Sequence, residues 1–287
     1  MRRKSISLGA IIFWAILIGV IVLYRDATKE DREQENILEN FRENATEKDG
    51  VKYYLDEANK QAIVVGLVND KYYKIEIAPI FEGYPVTKIQ RSAFQGCRYL
   101  EEVTIPETVT EIESYAFDGC IKLKGIILPS GLKEITDNSF SCTAITEIEI
   151  PSSVEKIGKS AFSSTEIKEV HIPGTVKIVE SFAFSNSQSI KKIVVDEGVT
   201  TICDYAFSYN LNLSSITFPD SIEEFGEEVL ECAAVKKVRI PAKIMEVHDN
   251  VFSNIDELEV IELPEGCTIL VGEGEKAVPI YAKVVYY

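Results

Sequence analysis

The sequence predicts a mainly β solenoid. Parallel short strands and turns would wind into coils of 22 or 23 residues, preceded by a single membrane-spanning helix. Three observations carry that expectation. Prolines recur at a near-constant interval from residue 106 to residue 264, apolar residues keep fixed offsets from those prolines, and one long uncharged run stands near the N-terminus.

That run is LGAIIFWAILIGVIVLY, residues 8–24. It is close to the ~20 residues a helix needs to cross a bilayer. A removable signal peptide has an apolar stretch of about 7–15 residues and a small-x-small cleavage site. Here Tyr24-Arg25-Asp26-Ala27 follows, a poor cleavage site, and no cysteine stands nearby to carry a lipid. Residues 1–24 therefore read as an uncleaved anchor with a short cytoplasmic head. Arg2, Arg3 and Lys4 precede the span and Arg25, Lys29 and Arg32 follow it, so the positive-charge asymmetry is small. A four-residue head is easily left inside while a long domain is exported. The expected location is the cell membrane, single-pass, with the bulk outside the cytoplasm at the cell surface.

Residues 25–50 hold nine acids, five bases and no proline, and read as a charged stalk, helical in part, with one weak stripe from Ile37, Leu38 and Phe41. The texture changes at residue 51. VKYYLDEANKQAIVVGL has two apolar runs around Asp56-Glu57-Ala58-Asn59-Lys60, a hairpin signal, and YYKIEIAPI supplies another strand. Residues 51–83 are expected to form an N-terminal β cap.

The repeats occupy residues 84–264. Their anchors are Pro106, Pro129, Pro151, Pro173, Asp196, Pro219, Pro241 and Pro264. An aliphatic or aromatic residue stands one, three and six positions before each, as in Leu100, Val103 and Ile105, and Phe or Leu stands eleven after, from Phe117 to Phe252. This period with an L-x-x-I-x-I core lies in the leucine-rich-repeat range. In I-x-I, alternate side chains share one face, so a short strand puts both into a core. Proline has no N–H and a fixed φ, so it closes that strand without stranding a donor. V-x-x-I, as in Val109 and Ile112, turns two more apolar groups inward, and Ala-Phe fills the opposite wall. One coil cannot bury enough alone, so each is held by its neighbours. Glu275 stands where the next Phe is due, so residues 265–287 read as closing strands, a C-terminal cap.

The pattern I-x-I-P-x-x-V-x-x-I-x-x-x-A-F-x-x-C-x-x-L resembles the BspA-like, type-5 leucine-rich repeats of bacterial surface proteins. Its clearest copies are residues 103–123 and 148–167; GYPVTKIQRSAFQGC, residues 83–97, looks like a first repeat, and YYLDEANKQAIVVGL like the family's strand cap. The resemblance spans about 51–287. It implies surface display and partner binding with no fixed ligand, and it brings no catalytic residue.

Composition and motifs exclude several other classes. The net charge of −16 becomes −19 once Arg2, Arg3 and Lys4 are set aside, which argues against nucleic acid, since phosphate recognition needs clustered Lys and Arg. None of the six cysteines forms a CxxC, and His171 and His248 are far from any cysteine pair, so no metal is expected. Cys97, Cys120 and Cys142 follow the Phe by two or three residues and read as stacked core thiols; a spacing of ~4.8 Å between coils does not forbid a disulfide. VGEGEKA, residues 271–277, matches G-x-G-x-x-A, but that fingerprint needs a following helix and the chain continues as PIYAKVVYY. No G-x-S-x-G, H-E-x-x-H or P-loop motif is present. No enzyme and no cofactor is expected.

What remains is the outward side of the strands. Read coil by coil, its candidate contact residues are Glu101 and Glu102; Ile127; Glu147 and Glu149; His171; Lys191, Lys192 and Val194; and Lys236, Lys237 and Arg239. The stripe is acidic early and basic late. Exposed Ile127 and Val194 point to contact with a protein or glycan partner; the competing reading is a solvated sheet face on a structural spacer with no ligand of its own.

Overall fold

A computed structural model describes residues 29–270 and 282–287. The apolar run 8–24 and the glycine-containing turn 271–277 lie outside the described residues. Among the described residues no helix is long and apolar enough to cross a membrane. The chain divides into two units, Met1–Asn44 and Ala45–Tyr287. In the first, helix α1 (Lys29–Glu43) ends where the Asn44 side-chain amide donates to the Asn40 carbonyl at 2.8 Å.

The second unit opens with a cap. Strand β1 (Thr46–Lys48) pairs antiparallel with β2 (Val51–Asp56), which pairs antiparallel with β3 (Gln61–Leu67). Asp56 fixes the hairpin turn: its carboxylate accepts from the Asn59 backbone at 3.2 Å and the Gln61 side chain at 3.0 Å. A two-residue strand, β5 (Ile80–Phe81), pairs with the start of β6 (Tyr84–Ile89). Tyr53 stacks on Phe81 at 4.4 Å and its hydroxyl accepts the Ala78 N–H at 3.0 Å.

Beyond the cap the chain winds in coils, counted here by the residue that closes the first strand: the first at Pro106, the fifth at Asp196, the eighth at Pro264. The I-x-I segments form one parallel column: β4 (Lys74–Glu76), β7 (Glu102–Thr104), β11 (Glu169–Ile172), β13 (Lys192–Val195), β15 (Ser215–Thr217), β17 (Lys237–Arg239), β19 (Val260–Leu263) and β21 (Lys283–Tyr286). Register is strict. Ile193 lies between Val170 and Ile216, and Ile261 between Val238 and Val284. In the second and third coils the column keeps its backbone rungs, Lys124 N–H to Glu101 and Thr146 N–H to Lys124, without a full strand ladder.

The V-x-x-I segments do more than turn inward: their last two residues form a second parallel column. It runs through β6, β8 (Glu111–Ile112), β9 (Glu134–Ile135), β10 (Lys156–Ile157), β12 (Ile178–Val179), β14 (Thr201–Ile202), β16 (Glu224–Phe225), β18 (Glu246–His248) and β20 (Thr268–Leu270), with a break in the ladder on either side of the β9–β16 sheet. The cap hairpin joins this column, because β3 pairs parallel with β6.

The third wall is the Ala-Phe turn. A left-handed residue stands just before the Ala-Phe pair and a second two residues after the Phe, as at Tyr115 (φ 63°) and Gly119 (φ 71°). For a residue with a Cβ this costs about 1–3 kcal/mol unless the surroundings enforce it. Here they do: the N–H groups of Tyr115, Phe117 and Gly119 donate to Asp137, Ser139 and Ser141 of the next coil at 2.9–3.0 Å. The rings of Phe94, Phe117, Phe140, Phe162, Phe184 and Phe207 stack in one ladder with centroids 4.9–6.0 Å apart. Leu230 takes the next place, and Phe218 and Phe225 fill the region edge-on.

Beside the rings runs a buried column one residue past the second left-handed position: Cys97, Cys120, Thr143, Thr165, Ser187 and Asn210. Its side chains donate hydrogen bonds to carbonyls of the Phe turns. The Cys120 thiol donates to Phe94 at 3.1 Å, Thr143 to Phe140 at 2.9 Å and Thr165 to Phe162 at 3.1 Å. Cys142 does not belong to this column, contrary to the expected stack. It occupies the left-handed position (φ 54°) and is exposed, because the second coil puts Thr143 at the core level. All six thiols are free. Burial pushes the Cys97 thiol up to about 11 and raises Cys120 further. A native thiol titration is expected to find Cys142 labelled rapidly and Cys97 and Cys120 labelled only after denaturation.

The fifth coil lacks its proline, and Gly174 and Gly198 (φ 112°) meet there instead. A Cβ on Gly174 would collide with the Glu197 carbonyl. Gly174→Ala is expected to lower the unfolding free energy by about 2–3 kcal/mol, read by urea denaturation.

Candidate partner-binding face

Alternation in the first column decides which side chains reach solvent. With Ile and Val at the inner positions, the residue between them and the two before them face out. Glu102, Glu147, Glu149, His171, Lys191, Lys192, Lys236 and Lys237 are exposed, and Ile127 is 82% exposed. Glu101 and Arg239 are half-buried. Val194 is also half-buried rather than exposed: it sits inside a continuous ladder, flanked at the same strand position by His171 and Thr217. Ile127 lacks that shading, since its coil has no full strand.

The late basic residues carry partners that a coil-by-coil reading does not reveal. Lys236 reaches Glu259 at 3.5 Å and Lys237 reaches Glu262 at 2.6 Å, each one coil on. Arg239 grips Asp220 with two bonds, 2.7 and 3.2 Å, and lies 4.1 Å over the Tyr287 ring. The hydrogen bonds from Arg239 and the Ala242 N–H hold the Asp220 carboxyl below its ordinary value. Among the early acids, Glu102 pairs with Lys74 at 2.7 Å and Glu101 with Lys122 at 3.9 Å. Among the described residues, Lys191, Lys192, Glu147 and Glu149 form no ion pair within 4 Å. Exposed pairs of this kind contribute about 0–1 kcal/mol each, so they can be exchanged for others.

The cap extends this face, which sequence reading had closed at Glu101. Strand β4 adds Lys74 and Glu76 in register with Glu102 and Thr104, and Tyr73, 70% exposed, stands beside Glu101. No proline marks that strand at the repeat's offset, so the period alone could not bring it in.

The two histidines stand on different strand columns. His171 meets Asp196 at 2.8 Å on the first column, while His248 lies on the second column, 3.7 Å from Glu227. Among the described residues no group of three or more His, Cys, Asp or Glu is placed to hold a metal ion.

The model of the BspA type leucine rich repeat region matches residues 69–191 and 177–273, in six copies. The chain belongs to the BspA-type leucine-rich repeat family. A solved leucine-rich repeat protein of this fold, from Bacteroides ovatus, is 24% identical over 84% of this chain and 78% of that chain, with a TM-score of 0.59. The T. pallidum leucine-rich repeat protein is 26% identical over 74% of this chain and 90% of that chain, with a TM-score of 0.58. No curated protein matches the sequence. In BspA-type terms, the two strand columns and the Phe turn are the three walls of each repeat, and the face described above is the outer side of the I-x-I wall.

Proposed function

We propose that this BspA-type protein is a membrane-anchored binding module displayed at a bacterial cell surface, which engages a protein or glycan through the I-x-I face. The observation that carries this reading is the charge left unpaired in mid-face. Glu147 and Glu149 of the third coil and Lys191 and Lys192 of the fifth flank the fourth coil, and none of the four has an ion-pair partner among the described residues. Lys191 also follows Lys168 at the same strand position one coil earlier, a like-charge adjacency that a purely solvated face has no need to hold. The apolar run 8–24 supplies the anchor and supports an extracytoplasmic location.

A second reading, a stiff spacer with no ligand, draws support from the way Lys236, Lys237 and Arg239 are already satisfied within the solenoid. Two measurements separate the readings. Proteolysis of intact cells is expected to remove the repeats and leave the anchor. Capture of surface proteins and glycans by the full chain is expected to be lost on Lys191→Glu with Lys192→Glu, at unchanged thermal stability. Identical capture by both forms would leave the spacer.

A further inference from the structure

We propose that the I-x-I face pairs with the same face of a second copy of this chain, about a two-fold axis lying along the strand of the fourth coil. This rests on the reading of that face as a contact surface and names its partner.

The charge layout carries the inference. On the three outward positions, the first coil holds Glu101, Glu102 and Thr104, and the third Thr146, Glu147 and Glu149; each nets −2. The fifth holds Lys191, Lys192 and Val194, netting +2, and the seventh Lys236, Lys237 and Arg239, netting +3. In the fourth coil, Lys168 and Glu169 cancel. The two acidic coils stand three and one before the fourth, and the two basic coils one and three after it. An axis along the fourth strand reverses the order of coils while keeping each position along the strand. It sets Lys236 against Glu101, Lys237 against Glu102 and Lys192 against Glu147 of the other copy. Such isologous pairing repeats every contact twice.

The neighbouring coils fit the same axis. Ile127 of the second coil meets Thr217 of the sixth, and Lys124 meets Ser214. On the axis itself Lys168 and Glu169 each meet their own copies, but Glu169 lies one strand position from Lys168 of the other copy, so the four charges cancel. Glu262 opposite Glu76 at the rim is a like-charge match. Other axes fare worse. Through the fifth coil, Glu147 would meet Lys237 and Glu149 would meet Arg239, but Lys191 and Lys192 would meet their own copies, four lysines on the axis with no acid among them; midway between fourth and fifth, Glu101 would meet the eighth coil's Glu259.

Size sets the strength. Nine strands at ~4.8 Å by four residues at ~3.3 Å give a face of about 550 Å². Two such faces bury about 1,100 Å², the low end of specific interfaces. The association is therefore weak and electrostatic, formed by exchanging exposed intramolecular bridges, and salt weakens it.

The test is sedimentation of the detergent-solubilised full chain in three forms: wild type; Glu101→Lys, Glu102→Lys and Glu147→Lys together; and Lys192→Glu, Lys236→Glu and Lys237→Glu together. These residues are surface groups, and circular dichroism checks that each form is folded. Wild type is expected to dimerise at about 50 mM salt and to weaken at least tenfold by about 500 mM, as the screening length falls from about 14 Å to about 4 Å, the reach of a direct ion pair. Each variant is expected to be monomeric, and an equimolar mixture of the two to dimerise. A monomeric wild type, or variants that stay dimeric because the anchor drives association, overturns the proposal. A mixture that stays monomeric overturns the axis. Capture of surface proteins and glycans by wild type is measured beside sedimentation: a monomeric wild type that still captures them overturns the dimer and leaves the binding reading standing.

Discussion

Phe162→Ala is expected to lower the unfolding free energy by about 3–5 kcal/mol, the range for truncating a buried aromatic. The ring is fully buried and stacks on Phe140 at 5.5 Å and Phe184 at 5.2 Å. Deleting it opens a void between two coils that otherwise bear on each other, and stability here is a nearest-neighbour property. Phe252→Ala is the control, since Phe252 is equally buried but lies beyond the stacked series. The difference between the two isolates the stacking, about 0.5–1.5 kcal/mol per ring contact. Urea denaturation followed by circular dichroism reads both. Equal losses would show that the ladder adds nothing beyond burial.

Asn210→Ala is expected to cost about 3–4 kcal/mol without any large change of volume. Its side-chain oxygen accepts the Ser187 N–H at 2.8 Å, and its side-chain nitrogen donates to the carbonyls of Phe184 at 2.9 Å and Phe207 at 2.8 Å. All of this is buried, and each backbone group left unpaired costs about 1–3 kcal/mol. Asn210→Ser should recover part of the loss, because Ser187 serves the same level one coil earlier, accepting the Thr165 N–H at 3.0 Å. Amide exchange at Ser187 is the sharper readout. It should accelerate in Asn210→Ala, and an unchanged rate would show that water replaces the side chain.

Both effects arise in parts of the coil that the sequence reveals unequally. The Phe series is plain in the sequence, since one residue type recurs at one offset from Pro106 to Asp196, and again after Pro241. The polar column was hidden because its members change from Cys97 to Thr143 to Asn210, and they share a role only through the carbonyl each one satisfies. The second strand column was read as a pair of inward apolar groups. Two residues such as Lys156 and Ile157 have no strand signal by themselves, and they become a strand only when Glu134–Ile135 and Ile178–Val179 lie on either side. The left-handed residues escaped for a related reason. Tyr115, Phe182 and Tyr205 are not glycine, and what holds them is hydrogen bonding from the neighbouring coil.

The candidate face shows the same division. Its outward residues followed from alternation, and the change of sign from Glu101 to Lys237 was visible in order. The bridges that mute Lys236, Lys237 and Arg239 connect residues 19–25 positions apart, and only the stacked register brings them together. Val194 is less exposed than alternation implies, because exposure on a sheet depends on the strands alongside as well as on the direction of the side chain.

The aromatic ladder ends at Phe207, where Leu230 replaces the next ring and Phe218 and Phe225 meet at a right angle. A zipper with a missing tooth parts at the gap. Under heat or mechanical load, the turns beyond Phe207 should peel away first, and the earlier ones should persist as a shorter rod that keeps its two acidic bands.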